Sequence, residues 1–411
     1  MSKQACRFCG SALQNTFVDL GMSPLCESYV SADRLNDMEP FYPLHVRVCD
    51  RCYLVQVGDY VSSDHIFTEY AYFSSFSDTW LKHAADYVDM IVGRFNLGKA
   101  SLAVELASND GYLLQNFVKK GIPALGVEPA ANVAKVAVEK GVATLVKFFG
   151  RETAQAMVTA GQQADLIIGN NVLAQVPDLN DFVAGIRLAL KPQGVATLEF
   201  PHLMRMMADN QYDTIYHEHF SYFSFITAEK IFAAHDLVLF DVEELPTHGG
   251  SIRIYARHKA DTAKPVDGRV VEMRTRELSA GFDRMETYST FGEKVRESKR
   301  SLLDFLIQAK RSGKRVAGYG APGKGNTLLN YCGIKTDFLD FTVDRNPYKQ
   351  GKFLPGTHIP ILTPDKIAEY KPDYVLILPW NFKEEIIKQM ALIRQWGGKF
   401  VVPIPTVEII P

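Results

Sequence analysis

Four of the chain's six cysteines fall in two CxxC pairs, Cys6-x-x-Cys9 and Cys49-x-x-Cys52. Thiolates at that spacing form metal knuckles, and two knuckles supply the four soft ligands of a closed tetrahedral zinc site. The stretch between the pairs exceeds the roughly fifteen to twenty residues usual for such sites. That lengthens a loop without changing the coordination chemistry. Gly10 follows the first pair, as a knuckle turn favours. A redox CxxC and chance pairs of core cysteines are the alternatives. Zinc is the reading adopted, in a structural role, because four thiolates leave no open position. Cys26 and Cys332 stand alone, so this is not a disulfide framework.

Two further segments have chemistry-bearing spacing. In DTIYHEHFSYFS, residues 213–224, Tyr216, Glu218 and His219 lie within four positions among aromatics. The HEH triplet lacks the i, i+4 spacing of helical zinc proteases. Alone, it fits a polar turn or an incidental metal site as well as it fits catalysis. Later, Gly318-x-Gly320-x-x-Gly323-Lys324 follows the apolar KRVAGY and precedes TLLNY, with Asp344 at roughly the distance of a ribose-binding acid. Alone, that pattern favours NAD. THGGSIR, Thr247 to Arg253, combines glycines, a hydroxyl and a guanidinium; it suits either a hairpin turn or a strand edge approaching a diphosphate or sugar.

The elements that must position these groups are legible. From about Ala100 to Leu198, strand-like SLAVELA, IPALGVEP, DLIIGNN and GVATLEF alternate with helical YLLQNFVKK, AANVAKVAVEKG and DFVAGIRLALK. That alternation predicts βαβ units and a parallel sheet. Residues 261–311 are charge-rich with helical spacing. Alternation resumes in KRVAGYGA, DFLDFTVD, YVLILPW and KFVVPIP, with helical NFKEEIIKQMALIRQWGG. The expected architecture is α/β, with a zinc-binding domain at 1–75, a Rossmann-like domain at 76–260, and a helical linker plus a second Rossmann-like domain at 261–411.

LAVELASNDGYLL resembles the first motif of class I methyltransferases. In that family a strand ends in an acid and a small-residue loop lets the backbone approach S-adenosylmethionine. Here the loop runs Glu105, Leu106, Ala107, Ser108, Asn109, Asp110, Gly111; many relatives carry Gly where Ala107 stands. Glu128 ends the next strand, where a carboxylate accepts from ribose hydroxyls. Asn170 and Asn171 end the third, where the family lines the pocket near the methyl group. The loop lacks G-x-G-x-x-G.

Across essentially the whole length, the chain resembles the sugar C-methyltransferases that build branched deoxysugars. The paired CxxC, YAYFSSFSDTW, ELASNDG, NNVLAQVPDL, IYHEHFSYFS, THGGSIRIYA, GYGAPGKGNTLL and DRNPYKQGKFLPGTHIPI carry the resemblance. It implies a dTDP- or GDP-linked 4-keto-6-deoxy sugar methylated at the carbon beside the ketone, C3. By similarity His219 is the base, Glu218 orients it, and Tyr216 and Tyr70 place hydroxyls near the ketone oxygen. Tyr72, Ser74, Gln175, Tyr222, His248, Gly249, Ser251 and Arg253 are the expected sugar contacts. Lys324, Asn326, Arg345 and Lys349 are the expected phosphate contacts, in a Rossmann-like domain without bound NAD. Relatives commonly have His where this chain has Gln175, and Gln cannot shuttle a proton. An NAD(P)-dependent keto-sugar reductase, an enolising or epimerising enzyme without methyl transfer, and a non-catalytic scaffold remain alternatives.

Composition bounds the rest. With 47% hydrophobic and 22% charged residues in 411, the chain can bury more than one core. A net charge of −2 gives no general attraction to nucleic acid or anionic membrane. No apolar run reaches spanning length, and MSKQACRFCG lacks the apolar core of a secretory signal. A cytoplasmic monomer or weak homo-oligomer is expected.

Overall fold

The computed structural model describes residues 5–61, 74–76 and 78–411. Tyr70 and Tyr72 lie outside the described residues. The chain folds into two compact units, each assembled from separated segments. The first comprises Met1–Leu13, Cys49–His202 and Phe220–Asp283; the second comprises Gln14–Val48, Leu203–His219 and Arg284–Pro411. Residues 14–48 and 203–219 pack with the C-terminal segment rather than with their chain neighbours.

The first unit is built on seven strands: β1 (Ala103–Leu106), β2 (Ala124–Val127), β3 (Ala143–Leu145), β4 (Ala164–Asn170), β5 (Leu190–Pro201), β6 (Leu237–Leu245) and β7 (Ser251–His258). They lie in the order β3-β2-β1-β4-β5-β7-β6. Neighbours from β3 to β5 are parallel, and β7 runs antiparallel to both β5 and β6. The central strands AVEL and ADLIIGN are buried almost throughout, which is why their sequences read as apolar runs. The order of β1 and β4 relative to β2 and β5 reverses the winding at β1, and ligands of such sheets bind outside the strand ends at that point. Glu105, Glu128 and Asn170 all sit there, at the carboxyl ends of β1, β2 and β4.

The second unit carries a six-stranded sheet: β8 (Val316–Tyr319), β9 (Thr342–Val343), β10 (Ile361–Leu362), β11 (Tyr374–Ile377), β12 (Lys399–Val402) and β13 (Glu408–Ile410), in the order β10-β9-β8-β11-β12-β13. All neighbours are parallel except β12 and β13. An antiparallel pair, Asn15–Ser23 with Tyr42–Val48, belongs to the same unit. Phe17 of that pair stacks on Phe291 with ring centroids 4.6 Å apart. Phe291 opens the helix Phe291–Arg311, whose buried Val295, Leu302 and Leu306 recur at helical spacing. The segment NFKEEIIKQMALIRQWGG is not one helix: it breaks into Trp380–Phe382, Lys383–Gln389 and Ala391–Trp396.

Candidate active site and zinc centre

The four paired cysteines converge in the first unit, their sulfurs all within 4.8 Å of one another. Cys6 Sγ lies 3.5 Å from Cys52 Sγ, and Cys9 Sγ lies 3.5 Å from Cys49 Sγ. A tetrahedron of ~2.3 Å zinc–sulfur bonds places its sulfurs about 3.8 Å apart, so the four thiolates fit one zinc ion. Each knuckle turns through a left-handed residue just after its second cysteine, Gly10 at φ 75° and Tyr53 at φ 64°. Gln56 Nε2 donates to Cys6 Sγ at 3.2 Å, orienting a ligand from outside the coordination sphere.

At the end of β1 the chain takes three left-handed residues in quick succession, Ala107, Asn109 and Gly111 at φ 55°, 50° and 74°. Ala107 therefore pays a steric cost that the Gly of relatives avoids. Glu128 braces this loop from β2: its two carboxylate oxygens accept from the amides of Asn109 and Ala130, each at 2.9 Å. Gly126 completes the fit, because a Cβ there would stand 2.3 Å from Ser108 Oγ. Ser74 donates its amide to Asn109 Oδ1 at 3.0 Å.

The loop encloses buried polar atoms without hydrogen-bond partners among the described residues. They include both carboxylate oxygens of Glu105, one of Asp110, Ser108 Oγ, and both side-chain polar atoms of Asn170. Burial pushes the Glu105 carboxyl well up; the nearby Tyr112 hydroxyl opposes this, and the carboxylates of Glu128 and Asp110 reinforce it. Lys140 neutralises Asp110 at 3.0 Å. Three buried carboxylates with one lysine among them suit a cationic ligand rich in donors. A sulfonium bearing an ammonium group and ribose hydroxyls has that character.

Beside this pocket, Asn171 at φ 56° hydrogen-bonds His248, and Trp80 packs edge-on to the His248 ring at 5.2 Å. His248 and Gly249 lie in a left-handed turn opened by Thr247, whose hydroxyl donates to Glu199 Oε1 at 2.7 Å. Ser251 Oγ closes the turn on the Thr247 carbonyl at 3.0 Å. Glu199, at the end of β5, is fully buried and also binds His83 at 2.9 Å and Arg253 at 2.7 Å. Arg253 is thus engaged by Glu199 and, at 3.3 Å, by Glu243, and its place is in this internal network. Burial raises the Glu199 carboxyl, but the His83 hydrogen bond, the Arg253 charge and Thr247 together bring it down to about 2. Gln175 is part-exposed on the turn Leu173–Gln175, and Tyr222 is buried opposite Val55.

The second unit holds the IYHEH segment. His219 is buried, its Nδ1 3.1 Å from the Thr214 carbonyl, its ring 4.2 Å from that of Tyr216. Glu218 accepts from Cys26 Sγ at 3.5 Å, and burial, helped by Glu27, pushes its carboxyl up to about 8. The expected phosphate contacts are dispersed. Lys324 donates to Asn381 at 2.9 Å, Lys349 to the Ala321 carbonyl at 2.9 Å, Asn326 is buried in the helix Gly323–Cys332, and Arg345 is exposed.

Sequence reasoning missed His83, Glu199 and Thr214. His83 stands three positions after Trp80 on the helix Asp78–Phe95, and Glu199 interrupts an apolar strand, which were usable signals. A backbone carbonyl has none.

Family models match three successive stretches: a zinc binding domain at residues 6–67, a methyltransferase domain at 84–242, and a C-methyltransferase C-terminal domain at 246–405. C-methyltransferase NovU of Streptomyces niveus is 37% identical over 408 residues, 98% of this chain and 96% of the relative. The chain belongs to the C-methyltransferase family. It is an S-adenosylmethionine-dependent enzyme with a four-cysteine zinc centre. Among solved structures, an S-adenosylmethionine-dependent methyltransferase of Clostridium acetobutylicum is 13% identical with a TM-score of 0.35, covering 43% of this chain and 92% of its own. The magnesium protoporphyrin IX methyltransferase ChlM of Synechocystis is 14% identical with a TM-score of 0.33, covering 44% and 81%. Alignments at that level do not bear on function. No helix among the described residues is long and apolar enough to cross a membrane.

Proposed function

We propose that this C-methyltransferase acts on a nucleotide-linked 4-keto-6-deoxy sugar, methylating the carbon beside the ketone, C3, with His219 as base. The observation that carries the reading is the contact of His219 Nδ1 with the Thr214 carbonyl. A carbonyl can only accept, so Nδ1 bears the proton and the basic lone pair lies at Nε2. An imidazole held in that tautomer removes a proton acidified by the neighbouring ketone, leaving the electron pair in an enolate. S-adenosylmethionine, when bound, would supply the electrophilic methyl group that the enolate carbon takes up, its sulfur keeping the electron pair of the broken sulfur–methyl bond. The imidazolium then releases its proton to solvent. Tyr216, packed on His219, and Tyr70 serve the ketone oxygen, where charge accumulates.

In this reading Glu105, Ala107, Asn109, Asp110, Gly111, Glu128, Asn170 and Asn171 hold the cofactor. Gln175 leaves deprotonation to His219 alone, and the exposed Arg345, 3.8 Å from Glu385, is a guanidinium open to a diphosphate. Residues 1–75 serve zinc, 76–260 the cofactor and 261–411 the sugar nucleotide. The test is exchange of solvent deuterium into the carbon beside the ketone, without methyl transfer, using dTDP- and GDP-linked 4-keto-6-deoxy sugars. Wild type should exchange and His219→Ala should not; equal exchange by both would sink the assignment.

A further inference from the structure

The glycine-rich motif Gly318-x-Gly320-x-x-Gly323 follows β8 and opens a helix, the context in which such loops cradle a dinucleotide pyrophosphate. Here two of the loop's glycines pack closely against the chain itself. A Cβ on Gly323 would stand 2.8 Å from Cys26 Sγ, and one on Gly320 would stand 2.5 Å from Pro379 Cδ. The glycines are needed for close approach, but of protein to protein. The loop's backbone is engaged as well: the Ala321 carbonyl accepts from the Tyr29 hydroxyl at 2.7 Å and from Lys349 Nζ at 2.9 Å. Asp344, at the position of the ribose-binding acid, accepts instead from the Ala321 amide at 2.7 Å and the Asn346 amide at 2.8 Å.

What the same loop and its helix hold is the segment that carries the base. Thr327, on the helix Gly323–Cys332, donates its hydroxyl to the Ile215 carbonyl at 2.9 Å. Trp380 Nε1, just after β11, donates to Asp213 Oδ2 at 2.6 Å. Lys324 Nζ lies 4.6 Å from the centroid of the Trp380 ring and is tied to Asn381 Oδ1 at 2.9 Å. Its charge also acts on the buried Asp213 carboxylate. The Tyr212 ring meets Tyr331 of the same helix edge-on, centroids 5.5 Å apart. Residues 212, 213 and 215 are thus held from outside the segment, and Thr214 between them presents the carbonyl that receives His219 Nδ1.

We infer that the glycine-rich loop and helix of the C-terminal sheet act as a clamp on residues 212–215. Thr327, Trp380 and Lys324 are positioning residues that fix the tautomer and aim of His219. The inference rests on the proposed role of His219 only for its consequence in catalysis, not for the clamp itself.

Two readouts separate those parts. In full-length protein labelled with 15N-histidine, with His219 assigned by loss of its signals in His219→Gln, wild type should show the Nδ1-protonated tautomer. Thr327→Val with Trp380→Phe removes both donors, the first at nearly constant side-chain volume and the second keeping an aromatic ring, and should give a tautomer-averaged His219 signal. In the methylation assay kcat should then fall about tenfold to a hundredfold, the cost of a small misplacement, with KM unchanged. Thr327→Ser should restore both readouts, and S-adenosylmethionine affinity should be unaltered, showing that the fold survives; if the double variant does not fold, Trp380→Phe alone is compared. A folded variant with wild-type His219 signals overturns the clamp. Altered signals with unchanged kcat would leave the clamp standing and sink the role of His219.

Discussion

Glu199→Gln isolates the charge at the centre of the network that shapes the wall beside the cofactor loop. The carboxylate is fully buried and receives His83, Thr247 and Arg253 at 2.9, 2.7 and 2.7 Å. Taking a carboxyl from an ordinary 4.5 in the unfolded chain to about 2 in the fold corresponds to about 3 kcal/mol of stabilisation. The substitution also leaves Arg253, 3% exposed, with Glu243 at 3.3 Å as its carboxylate partner among the described residues, and stranding one member of a buried pair typically costs ~3–5 kcal/mol. The two figures describe one interaction, so the expected loss is about 3 kcal/mol, a sizeable share of a unit's stability. The sign with pH follows from a depressed folded value: the contribution is full above about 4.5 and is lost as pH falls toward about 2. Urea unfolding followed by circular dichroism should therefore show a gap between wild type and variant that is constant from pH 5 to 7 and narrows below pH 4.5. A gap under about 1 kcal/mol at pH 7, or one that widens in acid, would refute the reasoning.

Other outcomes follow from separate parts of the molecule. Purified protein should carry about one zinc per chain by mass spectrometry of metals, and Cys49→Ala should lose it and lower the unfolding temperature of the first unit. Burial holds Glu218 up to about 8, so between about 4.5 and 8 the fold keeps a proton that the unfolded chain has lost. Stability should fall as pH rises through that window, and Glu218→Gln should flatten the slope. Gly323→Ala should destabilise by about 1–3 kcal/mol through overpacking against Cys26, and Cys26→Ala added to it should recover most of that loss.

How much of this was legible depended on whether a feature is local. The strand, acid and small-residue loop at Glu105–Gly111 are contiguous, so pattern and chemistry pointed the same way, and β1, β2 and β4 stand where their apolar runs predicted. The cysteine knuckles were readable for the same reason, although nothing in the sequence marked Tyr53 as the left-handed partner of Gly10. The Glu199 network was not legible, because His83, Glu199, Thr247 and Arg253 come from a helix, two strands and a turn that only the sheet order brings together. Glycine spacing after β8 correctly indicated close approach but not its occupant, since Cys26 and Pro379 lie far away in the chain. DFLDFTVD shrank to the two-residue β9, and the helix expected over 381–398 broke, because short parallel pairings and packing overrode local propensity. The Thr214 carbonyl beside His219 Nδ1 had no signal in the sequence, because every residue possesses a backbone carbonyl.

The most direct measurement of the central claim uses S-adenosylmethionine with a 13C-labelled methyl group. Enzyme is incubated with dTDP- and GDP-linked 4-keto-6-deoxy sugars, and the product is examined by mass spectrometry and carbon NMR. The account predicts a gain of one labelled methyl group, bonded to the carbon beside the ketone. A labelled methyl on oxygen or nitrogen, or keto-sugar nucleotides of both kinds left unmethylated by zinc-replete enzyme, would contradict it.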